Sequence, residues 1–192
     1  SRLITLDCGG YQNDDGQLIG SIPANISNLT ELEHLNLEGN SLEGNIPSSI
    51  GNLTNLFYLN LSNNLLSGNI PEEVGNLTNL TSLSLRNNNL EENIPTSIGT
   101  LTNLNYLDLM YNNLSGEIPS SIGGLENLEE LLFGSNELTG EISSEICSLI
   151  SLTELGLWGN NLSGEIPENI ENLINLEYLY LGQNQLEGEI PL

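Results

Sequence analysis

Apolar and polar residues alternate along this chain in a pattern that repeats every 24 residues. Seven copies begin, without an insertion, at Leu32, Leu56, Leu80, Leu104, Leu128, Leu152 and Leu176. Each copy opens as L-x-x-L-x-L-x-x-N-x-L, and the L-x-L alternation is the period-2 signal of a short strand with one buried face. Strands that recur at a fixed spacing cannot bury that face alone, so they stack in parallel about 4.8 Å apart. The pattern therefore predicts a solenoid.

The second half of each copy predicts a short helical turn on the opposite side of the solenoid. It reads L-x-G-x-I-P-x-x-I, and all seven prolines of the chain occupy its proline position, at Pro23, Pro47, Pro71, Pro95, Pro119, Pro167 and Pro191. Ser143 fills this position in the copy that lacks proline. Proline fixes φ and removes a donor, which suits a segment that leaves an extended stretch and enters a helical turn.

Asparagine follows the strand in every copy. The seven residues are Asn40, Asn64, Asn88, Asn112, Asn136, Asn160 and Asn184. An amide at this turn can donate to and accept from backbone groups that would otherwise be buried without a partner. We expect these side chains to form a buried ladder that bonds to the backbone of successive turns.

The combined motif L-x-x-L-x-L-x-x-N-x-L-x-G-x-I-P resembles the plant-type leucine-rich repeat of receptor-kinase ectodomains and polygalacturonase-inhibiting proteins, from Gly20 to Leu192. The resemblance implies an α/β-type repeat solenoid that is right-handed and curved, with a parallel β-sheet on the concave face and 3-10 turns on the convex face. It also implies an extracellular or cell-surface location. The motif gives little information on function, because such folds have many unrelated functions.

The sequence predicts one solenoid domain over residues 1–192. Residues 1–31 form an irregular first repeat with an inserted loop at 9–17, and residues 32–192 form seven repeats, the last one incomplete. Family members usually carry cysteine-bonded caps, which are absent here. We therefore expect a fragment of a longer chain, or a unit that stacks end to end. Cys8 and Cys147 are nearly six repeats apart, so we expect no disulfide between them.

The composition is strongly acidic and restricts the partners. The chain has 26 Asp and Glu against two basic residues, a formal charge of −24, which would repel nucleic acids and anionic membranes. It contains no apolar run long enough to span a bilayer, and its first residues do not resemble a signal peptide. We expect a mature, soluble chain whose carboxylates keep the surface hydrated, and a cationic or metal-bridged partner is the alternative.

Metal and catalytic sites find little support in the sequence. The segment Tyr11–Gly16 resembles a calcium loop but lacks the first and last carboxylates that such a loop needs. The G-x-I-P column places four carboxylates in successive repeats, at Glu117, Glu141, Glu165 and Glu189. Such a column could attract cations or form a solvated acidic edge. The only histidine, His34, has no catalytic partner nearby in sequence. We expect no enzyme activity, no cofactor and no bound metal.

Aromatic residues concentrate on the outward-facing strand positions. These positions hold seven of the nine aromatics, whereas random placement would put fewer than two there. Strand propensity explains part of this excess, but exposed aromatics are also typical of interfaces. Trp158 has Gly134 and Gly182 as its column neighbours, which predicts open space around the indole. The predicted ligand-binding residues, an apolar centre with an acidic rim, are Tyr58, Tyr106, Asp108, Met110, Tyr111, Glu130, Leu132, Glu154, Trp158, Tyr178 and Tyr180.

Three functions fit these observations. The first is a non-catalytic recognition module that binds a peptide, protein or glycan on its concave sheet. The second is a structural or adhesive array that assembles end to end. The third is ice binding through convex ladders of asparagine and threonine, at Asn52, Thr54, Asn55, Asn76, Thr78 and Asn79. Eight N-x-S/T sequons are present, but the repeat itself largely spells them, so they indicate secretion and glycosylation only weakly.

Overall fold

A computed structural model describes residues 3–10 and 17–191 of the chain. In this part, 16 short strands and seven 3-10 helices follow one another, and the parallel strands stack rung upon rung. The structure therefore confirms a leucine-rich repeat solenoid with a parallel concave sheet and 3-10 turns on the convex side. Residues 11–16 lie outside the described residues, as does the sequence-based interpretation of a calcium loop there.

The eight-stranded parallel sheet, here called the main sheet, contains the first strand of each rung. Its strands in spatial order are β1 (Thr5–Asp7), β3 (His34–Asn36), β5 (Tyr58–Asn60), β7 (Ser82–Ser84), β9 (Tyr106–Asp108), β11 (Glu130–Leu132), β13 (Glu154–Gly156) and β15 (Tyr178–Tyr180). The register advances by 24 residues from β3 to β15, so equivalent positions lie side by side in rows.

A second sheet follows the main sheet in each repeat. It has six parallel strands, β2 (Ile19–Gly20), β4 (Ser41–Asn45), β6 (Leu65–Gly68), β8 (Asn89–Asn93), β10 (Asn113–Glu117) and β12 (Glu137–Thr139). Two further strands, β14 (Ser163–Glu165) and β16 (Gln185–Glu187), pair with each other. The sequence predicts only an extended stretch here and does not indicate these sheets.

The 3-10 helices begin directly after the predicted proline position. They are η1 (Ala24–Asn28), η2 (Ser48–Asn52), η3 (Glu72–Asn76), η4 (Thr96–Thr100), η5 (Ser120–Gly124), η6 (Ser144–Ser148) and η7 (Glu168–Asn172). In η6 the proline is replaced by Ser143, whose backbone keeps the same conformation (φ −62°, ψ 135°) and whose hydroxyl accepts a bond from the Glu145 N–H. None of the helices in the described ranges is long and apolar enough to cross a membrane.

The core is one continuous column of leucine and isoleucine side chains between the two sheets and the 3-10 helices. Leucines of the main sheet, such as Leu59, Leu83 and Leu107, are at most 1% exposed. Phe133 takes the place of a repeat leucine and is fully buried. Cys147 is buried and Cys8 is half-buried, and both are free thiols.

The structure confirms the asparagine ladder. In each rung the amide nitrogen donates to a carbonyl of its own turn and to one of the preceding turn, as Asn112 does to Leu109 at 3.1 Å and to Leu85 at 3.0 Å. The amide oxygen accepts from a backbone N–H of the preceding repeat, as Asn112 does from Leu90 at 3.0 Å. Six of the seven asparagines are buried, and Asn184 in the last rung is half-buried.

Candidate functional site

The outward face of the main sheet, here called the sheet face, arranges its side chains in parallel rows. One row contains His34, Tyr58, Ser82, Tyr106, Glu130, Glu154 and Tyr178. The next contains Asn36, Asn60, Ser84, Asp108, Leu132, Gly156 and Tyr180. Glu38, Ser62, Arg86, Met110, Gly134 and Trp158 follow two residues later in their repeats. All of the sequence-predicted binding residues lie in strands of this one sheet or within three residues after them.

Arg86 connects residues of two neighbouring rungs. Its guanidinium lies 3.7 Å from an Asp108 carboxylate oxygen, 3.6 Å from the Met110 sulfur and 4.7 Å from the centre of the Tyr111 ring. Tyr111 in turn meets Trp158 edge to face, with 5.6 Å between the ring centres. A cation held over an aromatic ring and beside a carboxylate is stabilised by both contacts. These side chains therefore form a connected cluster along the margin of the sheet face.

Asp108 is a buried carboxyl, which corrects the prediction that it belongs to an exposed acidic rim. Only 1% of the residue is exposed, because the Tyr106 hydroxyl donates to it at 3.0 Å, the Met110 N–H donates at 2.9 Å and Arg86 lies beside it. Burial raises the pKa of Asp108, and these polar contacts oppose that rise. Burial and the neighbouring Asp108 also raise the pKa of Tyr106, which therefore stays protonated at neutral pH.

The predicted open space around Trp158 exists on one side only. The indole nitrogen and adjacent carbons lie so close to Gly134 that a Cβ there would come within 2.5 Å of the nitrogen, whereas a Cβ at Gly182 would meet nothing within 4 Å. Leu132 is likewise buried, because its side chain lies over Gly156. Gly134 and Gly156 thus make room for neighbouring side chains, so the prediction of open space is wrong at Gly134 and correct at Gly182.

The last rungs of the sheet face carry the most exposed aromatic residues. Tyr178 and Tyr180 are 51% and 46% exposed, and their nearly parallel rings have centres 6.3 Å apart. Beside them, Glu154 lies between Tyr178 and Glu130 in register. Burial, followed by the charge of Glu154, raises the pKa of Glu130. These carboxylates form the accessible part of the predicted acidic rim.

A depression of about 480 Å³ opens in the sheet face on the N-terminal side of the predicted centre. Its floor is Ser82 and Ser84, and its walls are Tyr58 with Asn60 and Tyr106 with Asp108. It is completed at one end by Glu38, Ser62, Asn63 and Arg86. We call this feature the serine notch.

Most residues of the serine notch were not among the predicted binding residues. Ser82 and Ser84 lie where the flanking rungs carry tyrosine or larger polar side chains. The row Tyr58, Ser82 and Tyr106 can be found in the sequence from the 24-residue repeat. The pattern of aromatic residues does not indicate it, because a notch is made by small side chains between large ones. His34, for which the sequence offered no catalytic partner, stacks on Tyr58 with ring centres 4.3 Å apart.

A second asparagine ladder lies on the outside of the solenoid. Asn55, Asn79 and Asn103 donate at 2.8–2.9 Å to the carbonyls of Thr30, Thr54 and Thr78. Asn127 and Asn175 repeat this contact. The amide groups of Asn55 and Asn79, which the sequence analysis assigned to an ice-binding ladder, are therefore engaged with the backbone.

The remaining convex candidates and the sequons are also located by the structure. Asn52, Thr54, Asn76 and Thr78 are exposed, and the threonine column ends at Glu126 and Ile150. Of the eight sequon asparagines, Asn60 is only 7% exposed. A buried amide cannot accept a bulky surface glycan.

The acidic column of the second sheet is packed against backbone. Glu117, Glu141 and Glu165 each lie against the glycine of the following repeat, where a Cβ would approach within 2.8–2.9 Å of the glutamate side chain. Within residues 3–10 and 17–191, no group of three or more histidine, cysteine, aspartate or glutamate side chains is arranged to hold a metal ion.

The chain matches a family model described as a leucine-rich repeat region over residues 48–155, more than half of its length. A shorter model described as a leucine-rich repeat matches residues 31–53, 151–173 and 175–192. No curated protein matches the chain by sequence.

Solved structures of plant proteins are closely similar. The ectodomain of the membrane receptor kinase GASSHO1/SCHENGEN3 from Arabidopsis thaliana, in complex with CASPARIAN STRIP INTEGRITY FACTOR 2, is 40% identical with a TM-score of 0.87, over 88% of this chain and 20% of that one. The Arabidopsis receptor kinase HAESA, in complex with the peptide hormone IDA and the co-receptor SERK1, is 36% identical with a TM-score of 0.90, over 96% of this chain and 30% of that one. A plant ice-binding protein is 29% identical with a TM-score of 0.74, over 91% of this chain and 64% of that one. The chain thus spans a fifth to about a third of the receptor chains.

Proposed function

This chain belongs to the plant-type leucine-rich repeat family, and on that premise we propose that it is a non-catalytic recognition module that binds a peptide or protein on its sheet face. We further propose that it works outside the cell or at the cell surface, as the receptor ectodomains do. Glycan binding, left open by the sequence, has less support, because the similar receptor structures are complexes with a named peptide hormone and with protein partners.

One observation carries this proposal: the sheet face presents aromatic side chains that the core does not use, and the same face contains a preformed depression. Tyr178 and Tyr180 are about half exposed, and Tyr111 is 40% exposed. Aromatic residues with one packed side and one open side are typical of binding hot spots, because they bury a large area at small entropic cost. Leucine, isoleucine and a few other apolar side chains fill the core without Tyr111, Tyr178 or Tyr180, so the core does not require these aromatics.

The predicted centre of binding remains Trp158 and Tyr180, and a peptide selection tests it. The probe is a displayed library of random 12-residue peptides, selected on the immobilised chain. We expect selected peptides to bind Trp158→Ala and Tyr180→Ala at least tenfold more weakly, because loss of an interface aromatic commonly costs about 2 kcal/mol. Both variants should keep their stability to within about 1.5 kcal/mol, since neither ring fills the core.

The matched control is Ile150→Ala, which removes an exposed apolar side chain on the outside of the solenoid. It should leave peptide affinity unchanged. If no peptide is selected, or if both aromatic variants bind as well as the parent chain, recognition by the sheet face is wrong. A large loss of stability in Trp158→Ala would show instead that its contacts with Tyr111 and Gly134 are structural.

Ice binding is a second candidate function, favoured by the similarity to a plant ice-binding protein. The exposed column Thr30, Thr54, Thr78 and Thr102 occupies equivalent positions in four successive rungs. A freezing assay that follows ice recrystallisation tests it directly. Activity that is lost in the double variant Thr54→Ala/Thr78→Ala, but kept in Trp158→Ala, would place an ice-binding surface on the convex side.

A further inference from the structure

We propose that the serine notch receives a basic side chain, arginine or lysine, of the peptide ligand. This inference rests on the proposed function, because it assigns one subsite to the peptide that the sheet face would bind. It goes beyond that function by fixing both the position of the subsite and the charge of the group that enters it.

The shape of the notch suits a flat or slender group. Tyr58, Ser82 and Tyr106 are consecutive in one row. The two tyrosines are therefore two strand spacings apart, about 10 Å. A group midway between them would lie about 5 Å from each ring, within the distance of a cation–π contact. Asn60 donates to the Tyr58 hydroxyl at 3.3 Å, and the Tyr106 hydroxyl donates to Asp108 at 3.0 Å. Both rings therefore point along the strands and form walls.

The buried polar side chains that line the notch, including Ser62 at its end, already have hydrogen-bond partners. Ser62 donates from its hydroxyl to the Asn60 oxygen at 2.6 Å, and its N–H donates to the same oxygen at 3.0 Å. In the described residues no buried side-chain polar atom lacks a hydrogen-bond partner. A ligand is thus not needed to satisfy the notch, and its recognition must come from charge and from the ring faces.

The charged side chains of the notch favour a cationic group of the ligand. Of the three charged groups in the notch, Arg86 is turned towards Asp108, Met110 and Tyr111, so its charge is already paired. Within residues 3–10 and 17–191 no cation pairs with Glu38, and Asn60 and Asn63 instead donate to its two oxygens at 3.0 and 3.2 Å. A carboxylate oxygen accepts more than one bond, so the held carboxylate can still receive a guanidinium or an ammonium. The formal charge of −24 attracts such a group from a distance.

The test uses peptides from the 12-residue library described above. We expect the selected peptides to contain arginine or lysine, and replacement of that arginine by citrulline, which has nearly the same shape and no charge, to weaken binding about tenfold. Glu38→Gln should cause a similar loss. The matched control Glu43→Gln removes an equal charge from the neighbouring strand of the second sheet, where Glu43 is exposed, and should change affinity less than twofold.

A filling variant probes the notch independently of charge. Ser82→Phe places a ring between Tyr58 and Tyr106, and should abolish binding of the arginine peptide while circular dichroism shows that the fold is kept. If the selected peptides bind the sheet face through Trp158 or Tyr180, but tolerate citrulline, Glu38→Gln and Ser82→Phe, the proposed function stands and this inference is wrong. If no peptide is selected, the proposed function and the inference are both overturned.

Discussion

At the scale of single residues, the asparagine after each strand stabilises the fold through bonds that an apolar side chain at that position could not make. The Asn112 amide bonds to four backbone groups, three carbonyls and one N–H, and the residue is 7% exposed. A buried backbone group that loses its partner costs about 1–3 kcal/mol. The ladder asparagines therefore connect adjacent rungs as well as turning the chain.

We expect Asn112→Ala to lower the free energy of unfolding by about 2–3 kcal/mol, because it leaves the buried Leu90 N–H without its partner and removes one of the two amide donors at each of the Leu85 and Leu109 carbonyls. The matched control is Asn103→Ala, which removes one exposed bond to the Thr78 carbonyl and should cost less than about 1 kcal/mol. Urea denaturation of both variants checks this. Equal losses in the two would contradict the structural role assigned to the inner ladder.

The buried carboxyl of Asp108 makes stability depend on pH. Burial raises its pKa above the ordinary 3.8, so the folded chain holds this proton more tightly than the unfolded chain. Such a group stabilises the fold most at low pH, and its contribution is lost as the pH rises through the folded-state pKa. We therefore expect Asp108→Asn to become more stable relative to the parent chain as the pH rises from about 4 to neutrality.

Urea denaturation at a series of pH values, with Glu43→Gln as an exposed control, measures this difference. The asparagine keeps an acceptor for the Met110 N–H, so loss of that bond does not confuse the comparison. A stability difference between Asp108→Asn and the parent chain that stays constant across the series would show that Asp108 has no raised pKa.

At the scale of elements, the structure explains why some features could be predicted and others could not. The strands of the main sheet and the 3-10 turns follow from local signals, the L-x-L alternation and the proline position. The second sheet does not, because its hydrogen bonds depend on how the extended segments of adjacent rungs meet. Gly68 and Gly116, at φ 72° in both, supply the left-handed backbone in two of these segments.

The candidate site, too, could be predicted only in part from the sequence. The sheet face and its aromatic residues could be predicted, because the repeat fixes which side chains point outwards. The burial of Asp108 and Leu132 could not, because it depends on Arg86 and Tyr106 covering one and on Gly156 seating the other. The serine notch was missed because its shape comes from the absence of large side chains between two tyrosines.

The turn before η6 offers a test at this scale. Ser143 has φ −62° and ψ 135°, within the range of the six prolines that begin the other helices, and it follows an isoleucine as they do. We expect Ser143→Pro to raise the free energy of unfolding by about 0.5–1 kcal/mol, because proline restricts the unfolded chain without straining the folded one. Ser143→Ala, which removes the cap to the Glu145 N–H, should be neutral or lose up to about 1 kcal/mol. A less stable proline variant would mean that the serine cap matters more than the backbone conformation.

At the scale of the whole molecule, the net negative charge affects both the stability of the fold and its association with a partner. With 26 acidic and two basic residues, the folded chain concentrates negative charge that the unfolded chain spreads out. Compaction is therefore opposed by self-repulsion, which dissolved ions screen within a Debye length of about 10 Å at 0.1 M salt. The same charge would accelerate association with a basic peptide and make that association weaken with salt.

We expect sodium chloride to raise the free energy of unfolding by an amount on the order of 1 kcal/mol between low and physiological ionic strength, because it screens this repulsion. Calcium chloride at the same ionic strength should add little beyond this effect, since Glu141 and Glu165 lie flat against glycines of the next repeat and no metal-holding group exists in the described residues. Thermal unfolding in the two salts measures the difference. Extra stabilisation by calcium that disappears in Glu141→Gln/Glu165→Gln, but persists in the exposed control pair Glu126→Gln/Glu171→Gln, would overturn this expectation and identify the acidic column as a cation site.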